Sequence, residues 1–417
     1  MKVIIVGGGI VGASCALEAA SLGAEVVLAD AAIDGRATAA GAGIISPWAA
    51  ARKNPAWQEF AIAAAREYPA LVDRLAAAGE KEVGYRKVGA LYLCADEATT
   101  SEVYGRLHRQ SEDAPEMGTV SVLSGTSAQE LFPPLRDDMV AVRVPGAARV
   151  DGRLMAAALT RAAVAQGAEV RHGTARLLPR PSGAGGVSVR GVTVDGDTAV
   201  GEIIEGDAVV VAAGAWTSAL LTQAGLRNAG DPGTVSPDAA LPDGALPDAG
   251  LPGDAALWGI APQRGQIAHI SLPGTDTSDW PVVHPRGTGH YMLAFGDSRV
   301  VVGATRETGS GFDYRVTPGG LAEVLNEALR IAPGLSAGTY LETRIGFRPA
   351  SPDGRPLLGA VTGVDGLVIA TGLGAEGLTL GPRTGAMAAR LALGQSPGAN
   401  LSAFDPLRPC VVPQPAD

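Results

Sequence analysis

The chain opens on a bare apolar run, Val3-Ile4-Ile5-Val6, followed by Gly7-Gly8-Gly9-Ile10-Val11-Gly12 and an alanine-rich stretch to about Leu22. A second apolar run, Val26-Val27-Leu28-Ala29, ends on Asp30. Continuous apolar runs of this length, bounded by glycine, read as strands buried on both faces, and the stretch between them as a helix. Further along, Trp57, Phe60, Ala64, Tyr68, Leu71 and Leu75 recur near helical spacing and predict a long amphipathic helix over Pro55–Ala78. Strands are predicted at Val88–Cys94, Ala141–Val144, Ala168–Arg171, Ile203–Ala213, Gly265–Ser271, His290–Phe295, Arg299–Thr305 and Val368–Thr371. Helices are predicted near Thr99–Gln110, over Pro318–Ala332 and Thr379–Leu393, and from an N-cap at Asp151 to Gln166.

The glycines give the first unit its chemistry. Gly7 permits a tight turn off the strand, Gly9 lets a pyrophosphate approach the backbone, and Gly12 lets the helix pack closely on the sheet. Phosphates then meet the free N–H groups of Ile10 and Val11 at the helix N-terminus. Asp30 stands where a carboxylate accepts hydrogen bonds from ribose hydroxyls and repels a 2′-phosphate, which favours FAD or NAD over NADP. This unit alone does not separate FAD from NAD. Three later features are further candidates for cofactor contact, and the last of them bears on that choice. The small-residue stretch Arg36–Trp48, with Ala42 and Gly43, allows close backbone approach to a flat or charged group. The strand ending at Ala213 breaks at Gly214-Ala215-Trp216 before a helix. Gly372-Leu373-Gly374-Ala375-Glu376-Gly377 feeds a second helix N-terminus at Leu378 and Thr379. Glycine loops so far apart suggest a cofactor gripped at both ends, hence FAD.

Composition narrows the setting. With 33 basic and 43 acidic residues the net charge is −10, which argues against nucleic acid or an anionic membrane surface as the main partner. No run approaches the roughly 20 apolar residues of a membrane helix, and nothing before Val3 resembles a signal peptide. Cys15, Cys94 and Cys410 are too few and too scattered for a disulfide framework or a metal site, and they suit a reducing cytoplasm. Between Asn228 and Asp254 runs a Leu-Pro-Asp-Gly-like degenerate repeat with five Asp and no Lys or Arg, expected to be a mobile acidic loop.

Taken together, the N-terminal fingerprint, Val209–Trp216, Pro262-Gln263-Arg264-Gly265-Gln266, Arg344-Ile345-Gly346-Phe347-Arg348-Pro349 with Asp353-Gly354-Arg355-Pro356-Leu357-Leu358-Gly359, the loop Gly372–Gly377 and Phe404-Asp405-Pro406-Leu407-Arg408 resemble the D-amino-acid oxidase family of flavoenzymes, which includes glycine oxidase, sarcosine oxidase and D-amino-acid dehydrogenase. The resemblance implies an α/β fold: a Rossmann-like FAD-binding domain and a discontinuous substrate domain built on an antiparallel sheet. The corresponding partition gives FAD-binding segments 1–80, 146–227 and 341–417, substrate-domain segments 81–145 and 256–340, and the acidic loop 228–255.

It also implies non-covalent FAD, a small amine or amino-acid substrate, and O2, a quinone or another carrier as electron acceptor. The implied chemistry is hydride transfer from the carbon beside the amine to flavin N5, followed by imine hydrolysis. Arg348 matches the arginine that holds the substrate carboxylate; its bidentate fork suits that task, and a structural ion pair is the alternative. Tyr291 falls where some members carry a substrate-facing tyrosine, and as strand neighbours either His290 or Tyr291 would face the pocket. Leu373, where members often carry His, and the charged Glu376 depart from the family loop. Oxidation of a secondary, N-methylated amino acid and a flavin-binding subunit without activity are the alternative functions.

Overall fold

A computed structural model describes residues 1–49, 54–182, 186–196, 200–226 and 258–409. The acidic segment 228–254 and Cys410 lie outside the described residues. The first apolar run forms the strand Lys2–Val6 at the centre of a six-stranded sheet. Its neighbours are Glu25–Asp30 and Ala208–Val211, both parallel to it. Glu169–His172 and Leu367–Thr371 extend the sheet in parallel, and Leu357–Ala360 closes one edge antiparallel to Leu367–Thr371. Burial on both faces explains the unbroken Val/Ile/Leu content of the central strands.

One face is covered by the helices Ile10–Ser21, Pro55–Ala77, Gly152–Ala165 and Gly377–Ala392, which share a single core. The opposite face packs on Leu220 and Leu221 of the helix Thr217–Gln223 and on a smaller sheet of Thr174–Ser182, Gly186–Asp195 and Glu202–Glu205. The stretch expected as one strand, Ile203–Ala213, is therefore two strands in different sheets. In Glu202–Glu205 only Ile204 is buried, as in a largely exposed strand, whereas Ala208–Val211 is buried throughout. The chain crosses between them at Gly206, whose Cβ would lie 2.9 Å from the Lys2 carbonyl oxygen.

A nine-stranded sheet forms the other layer, with Ala261–Ser271 pairing antiparallel to Arg299–Gly303, Glu307–Thr308 and Thr339–Ala350. The sheet is antiparallel apart from one pairing, Val282–Pro285 with Ala90–Cys94, which is parallel. Thr339–Ala350 is paired along its whole length with Ala261–Ser271, so the 340/341 boundary cuts a strand of this sheet instead of separating two units. Among the described residues, no helix is long and apolar enough to cross a membrane.

Candidate active site

A cavity of about 1300 Å³ runs between the two large sheets. From the six-stranded sheet it is lined by Gly7, Gly8, Gly9, Ile10, Val11 and Asp30, and from the nine-stranded sheet and its links by Tyr291, Arg306 and Arg348. The turn after the first strand is built as its sequence requires. Gly7 has φ +107°, and a Cβ there would collide with the Ala212 carbonyl of the neighbouring strand. A Cβ on Gly12 would strike the Gly7 carbonyl, so the helix sits directly on the turn. Ile10 N–H donates to Thr38 Oγ1 at 3.0 Å. Gly8, which the fingerprint reasoning left without a role, is fixed by Asp30: a Cβ would come 2.7 Å from its carboxylate. Asp30 in turn accepts from Arg36 Nη1 at 3.0 Å.

The cavity is also walled by Ala42, Gly43, Gly214 and the second glycine loop. Gly43 has φ +101° and lies against Val150, leaving no room for a side chain. The carbonyl of Gly214 accepts hydroxyl hydrogen bonds from Thr217 at 2.8 Å and Thr371 at 3.0 Å, tying the ends of two central strands together. Gly374, Glu376, Gly377 and Leu378 face the cavity, and the Leu378 carbonyl accepts from the buried Tyr68 hydroxyl. Three residues of the expected cofactor cradle do not line the cavity, Gly12 among them because its part is the close packing of the helix. Gly12 lies beneath the turn. Gly372 packs against Ile260 and Leu357, and Thr379 is buried with its hydroxyl donating to the Ile44 carbonyl at 3.2 Å.

On the nine-stranded sheet, Arg348 projects from Thr339–Ala350 and its Nη1 donates to the carbonyls of Thr305 at 3.0 Å and Arg264 at 3.4 Å. Its guanidinium lies over Gly265, where a Cβ would stand 2.5 Å from Nη2 and 2.7 Å from Nη1. This explains the glycine in Gln263-Arg264-Gly265-Gln266, and Arg264 itself is structural. It is buried and pairs with Glu307 and with Asp313 at 2.9 Å. The structural ion pair weighed as an alternative for Arg348 is absent: no carboxylate within 4 Å pairs with it among the described residues. Burial lowers the Arg348 pKa, partly offset by Tyr291. Burial also raises the Tyr291 pKa, so its phenol is protonated at neutral pH.

His290 and Tyr291 both border the cavity, so the expectation that only one of them would is corrected. The strand is Tyr291–Phe295; His290 belongs to the preceding turn and is not bound by strand alternation. Its Nε2 lies 3.3 Å from Glu323 Oε1, which turns the ring toward the helix Pro318–Ile331. Sequence reasoning missed Arg286, Arg306 and the pair Tyr92–His284, which also line the site. Tyr92 and His284 stack with ring centroids 5.1 Å apart, and burial pushes the His284 pKa down to about 4. Tyr92 shares a 2.9 Å hydrogen bond with Ser46. Tyr92 and His284 reach the site from adjacent strands of the larger sheet, Arg286 and Arg306 from the links that follow two of its strands, and no spacing along the chain announces that.

The cradle suits a long dinucleotide. Glycine backbone, a helix N-terminus and a carboxylate stand on the six-stranded sheet, a second glycine loop feeds another helix N-terminus, and the remaining space leads to a buried cation. A family model described as DAO, FAD dependent oxidoreductase, matches residues 2–391. The chain is 39% identical over 404 residues to an uncharacterized oxidoreductase of Bacillus subtilis, covering 97% of this chain and 98% of that one. It is similar in structure to iminodiacetate oxidase from Chelativorans sp. BNC1, with a TM-score of 0.84, 44% identity, and coverage of 97% and 98%. It also resembles glycine oxidase from Geobacillus kaustophilus, with a TM-score of 0.76, 25% identity, and coverage of 97% and 98%.

Proposed function

This chain belongs to the DAO family of FAD-dependent oxidoreductases, and we propose that it oxidises a C–N bond of a small amino acid, most specifically a secondary amine bearing a carboxylate. The observation that carries this reading is Arg348. It is a buried guanidinium on the side of the cavity formed by the nine-stranded sheet, braced by two carbonyls, with no carboxylate of the described chain as partner. The iminodiacetate oxidase likeness favours the secondary-amine form over a primary amino acid.

Gly7, Gly8, Gly9 and the N–H group of Val11 would hold the pyrophosphate, Asp30 the ribose, and the loops at Gly43, Gly214 and Gly374–Gly377 the remainder of FAD. The Ile10 N–H, expected to be free, is taken by Thr38 Oγ1 instead. Bound there, FAD supplies a two-electron, hydride-accepting group. The protein's part is to bind and orient. Arg348 anchors the substrate carboxylate through charge-assisted hydrogen bonds. The Tyr291 phenol is a hydrogen-bond donor to the same carboxylate. In the net reaction the α-carbon loses a hydride and the nitrogen a proton, leaving an imine. Water then cleaves the imine to an amine and a 2-oxo acid. No protein base is required when the amine enters neutral.

The test is anaerobic mixing of the holoenzyme with sarcosine, iminodiacetate and glycine while flavin absorbance is followed. Bleaching, with glyoxylate as product, is expected for the secondary amines. A flavin that stays oxidised with all three would overturn the reading, and the inactive flavin-binding subunit would replace it. Repeating the reaction in air distinguishes O2 from a quinone or other carrier as acceptor.

A further inference from the structure

We propose that Arg306 is a second carboxylate anchor, which makes the site selective for amines carrying two carboxylates; this rests on the preceding reading of the cavity. Arg306 borders the same cavity as Arg348 and Tyr291. It follows Thr305, whose carbonyl accepts the Arg348 Nη1 hydrogen bond at 3.0 Å, so Arg348 is fastened to the peptide unit from which Arg306 springs. Their charges are close enough to act on each other: after burial, and after the opposing effect of Tyr291, Arg306 contributes to lowering the Arg348 pKa. It also helps stabilise the ionised form of Tyr291.

The neighbouring acid does not neutralise Arg306. Both oxygens of Glu307 are committed elsewhere. One accepts from Arg264 Nε at 2.9 Å, and the other accepts from the Thr305 hydroxyl at 2.7 Å and from Gln266 Nε2 at 2.8 Å. Arg306 makes no ion pair or hydrogen bond among the described residues, and Gly289, which also lines the cavity, leaves its Nε free of close contact, since even a Cβ there would stand 3.7 Å away. A surface arginine without a partner is ordinary. Arg306 is exposed and partly screened by water, but it borders the same cavity as the buried Arg348, and an anion entering between them offsets their repulsion. A monocarboxylate compensates one of the two guanidiniums. A substrate with a carboxylate on each arm of a secondary amine compensates both, and places its central nitrogen between them. Two anchors also fix the rotation of the substrate about its own long axis, which one anchor leaves free.

Diglycolate, in which an ether oxygen replaces the amine, cannot be oxidised and isolates binding from turnover. It is titrated into the holoenzyme while flavin absorbance is followed, alongside methoxyacetate, which lacks one carboxylate. Wild type is expected to bind diglycolate more tightly by on the order of tenfold to a hundredfold, the range of one charge-assisted contact. Arg306→Gln should collapse that preference toward unity, Arg306→Lys should restore part of it, and both should keep full flavin content. The control is Arg286→Gln, because Arg286 also lines the cavity and its buried Nε has no hydrogen bond. An unchanged preference in Arg306→Gln, a selective loss in Arg286→Gln instead, or loss of flavin from Arg306→Gln would each overturn the assignment. If wild type oxidises sarcosine and iminodiacetate but binds diglycolate no better than methoxyacetate, the proposed function stands and this inference falls. If neither amine reduces the flavin, both fall.

Discussion

Arg348 is positioned by what is missing beneath it. The guanidinium rests on Gly265, and a methyl group there would come within 2.7 Å of three of its atoms. Gly265→Ala should therefore displace the cation without touching the phosphate cradle. A misplacement of about 1 Å costs roughly a hundredfold in rate, so kcat/KM for a carboxylate substrate should fall by about that factor while flavin content stays at the wild-type level. Loss of flavin in step with activity would show that Gly265 supports the fold rather than Arg348. His284 gives a second, pH-dependent test. Its folded pKa of about 4 lies below the ordinary 6.5, mainly through burial and next through the Arg286 charge. Below pH 6.5 the unfolded chain takes a proton that the folded chain refuses, so stability falls between pH 6.5 and about pH 4. In His284→Phe that part of the decline should vanish from a series of thermal unfolding midpoints; an unchanged slope would mean the ring is protonated in place. The sequence made Arg348 legible because its motif is local. Gly265 was visible as a motif without a reason, and Arg306 and His284 were not visible, since their meaning lies in neighbours far away along the chain.

Among the elements, the two strand–glycine–helix junctions were readable because apolar runs, glycine and helix starts follow one another within a few residues. Gly8 was not, because the residue that fixes it, Asp30, arrives from the next strand. Gly8→Ala should push the Asp30 carboxylate out of place and weaken FAD binding by about tenfold or more, the value of one charge-assisted hydrogen bond. Titration of apoprotein with FAD checks this, and wild-type affinity would remove Asp30 from the ribose site. The Asp353-Gly354-Arg355-Pro356 segment has a structural role that its resemblance to the family did not reveal. Asp353 receives Arg408 through two 2.9 Å hydrogen bonds and also pairs with Arg355, fastening the strand Leu357–Ala360 to the last described turn of the chain. Burial opposes ionisation of Asp353, but these arginines prevail and hold its pKa down at about 2. A depressed acid contributes stability above its unfolded pKa, near 4, and loses it as pH falls toward 2. Asp353→Asn should cost about 3 kcal/mol or more at neutral pH, because it strands the buried Arg408. It should also flatten the acid limb between pH 4 and pH 2; denaturant titrations at several pH values measure both effects.

For the whole molecule, the α/β class and the two-layer plan were legible from periodicity together with the resemblance. The split of Ile203–Ala213 between two sheets and the single parallel pairing in the larger sheet were not, because they are settled by which face each strand buries. Neither Cys15 nor Cys94 lines the cavity, and the two histidines that do are engaged elsewhere, His284 stacked on Tyr92 and His290 turned toward Glu323. Acid precipitation should accordingly release the FAD into the supernatant, and flavin retained on the pellet would contradict non-covalent binding. The most direct test of the account compares wild type, Arg348→Lys and Arg348→Ala in anaerobic flavin reduction by sarcosine and by dimethylamine, the matching secondary amine without a carboxylate. The account predicts that Lys lowers kcat/KM for sarcosine by on the order of tenfold to several hundredfold, that Ala lowers it further, and that both variants keep their FAD. It also predicts that any slow reduction by dimethylamine is much less affected. Wild-type efficiency toward sarcosine in both variants would contradict it and leave Arg348 as a structural residue.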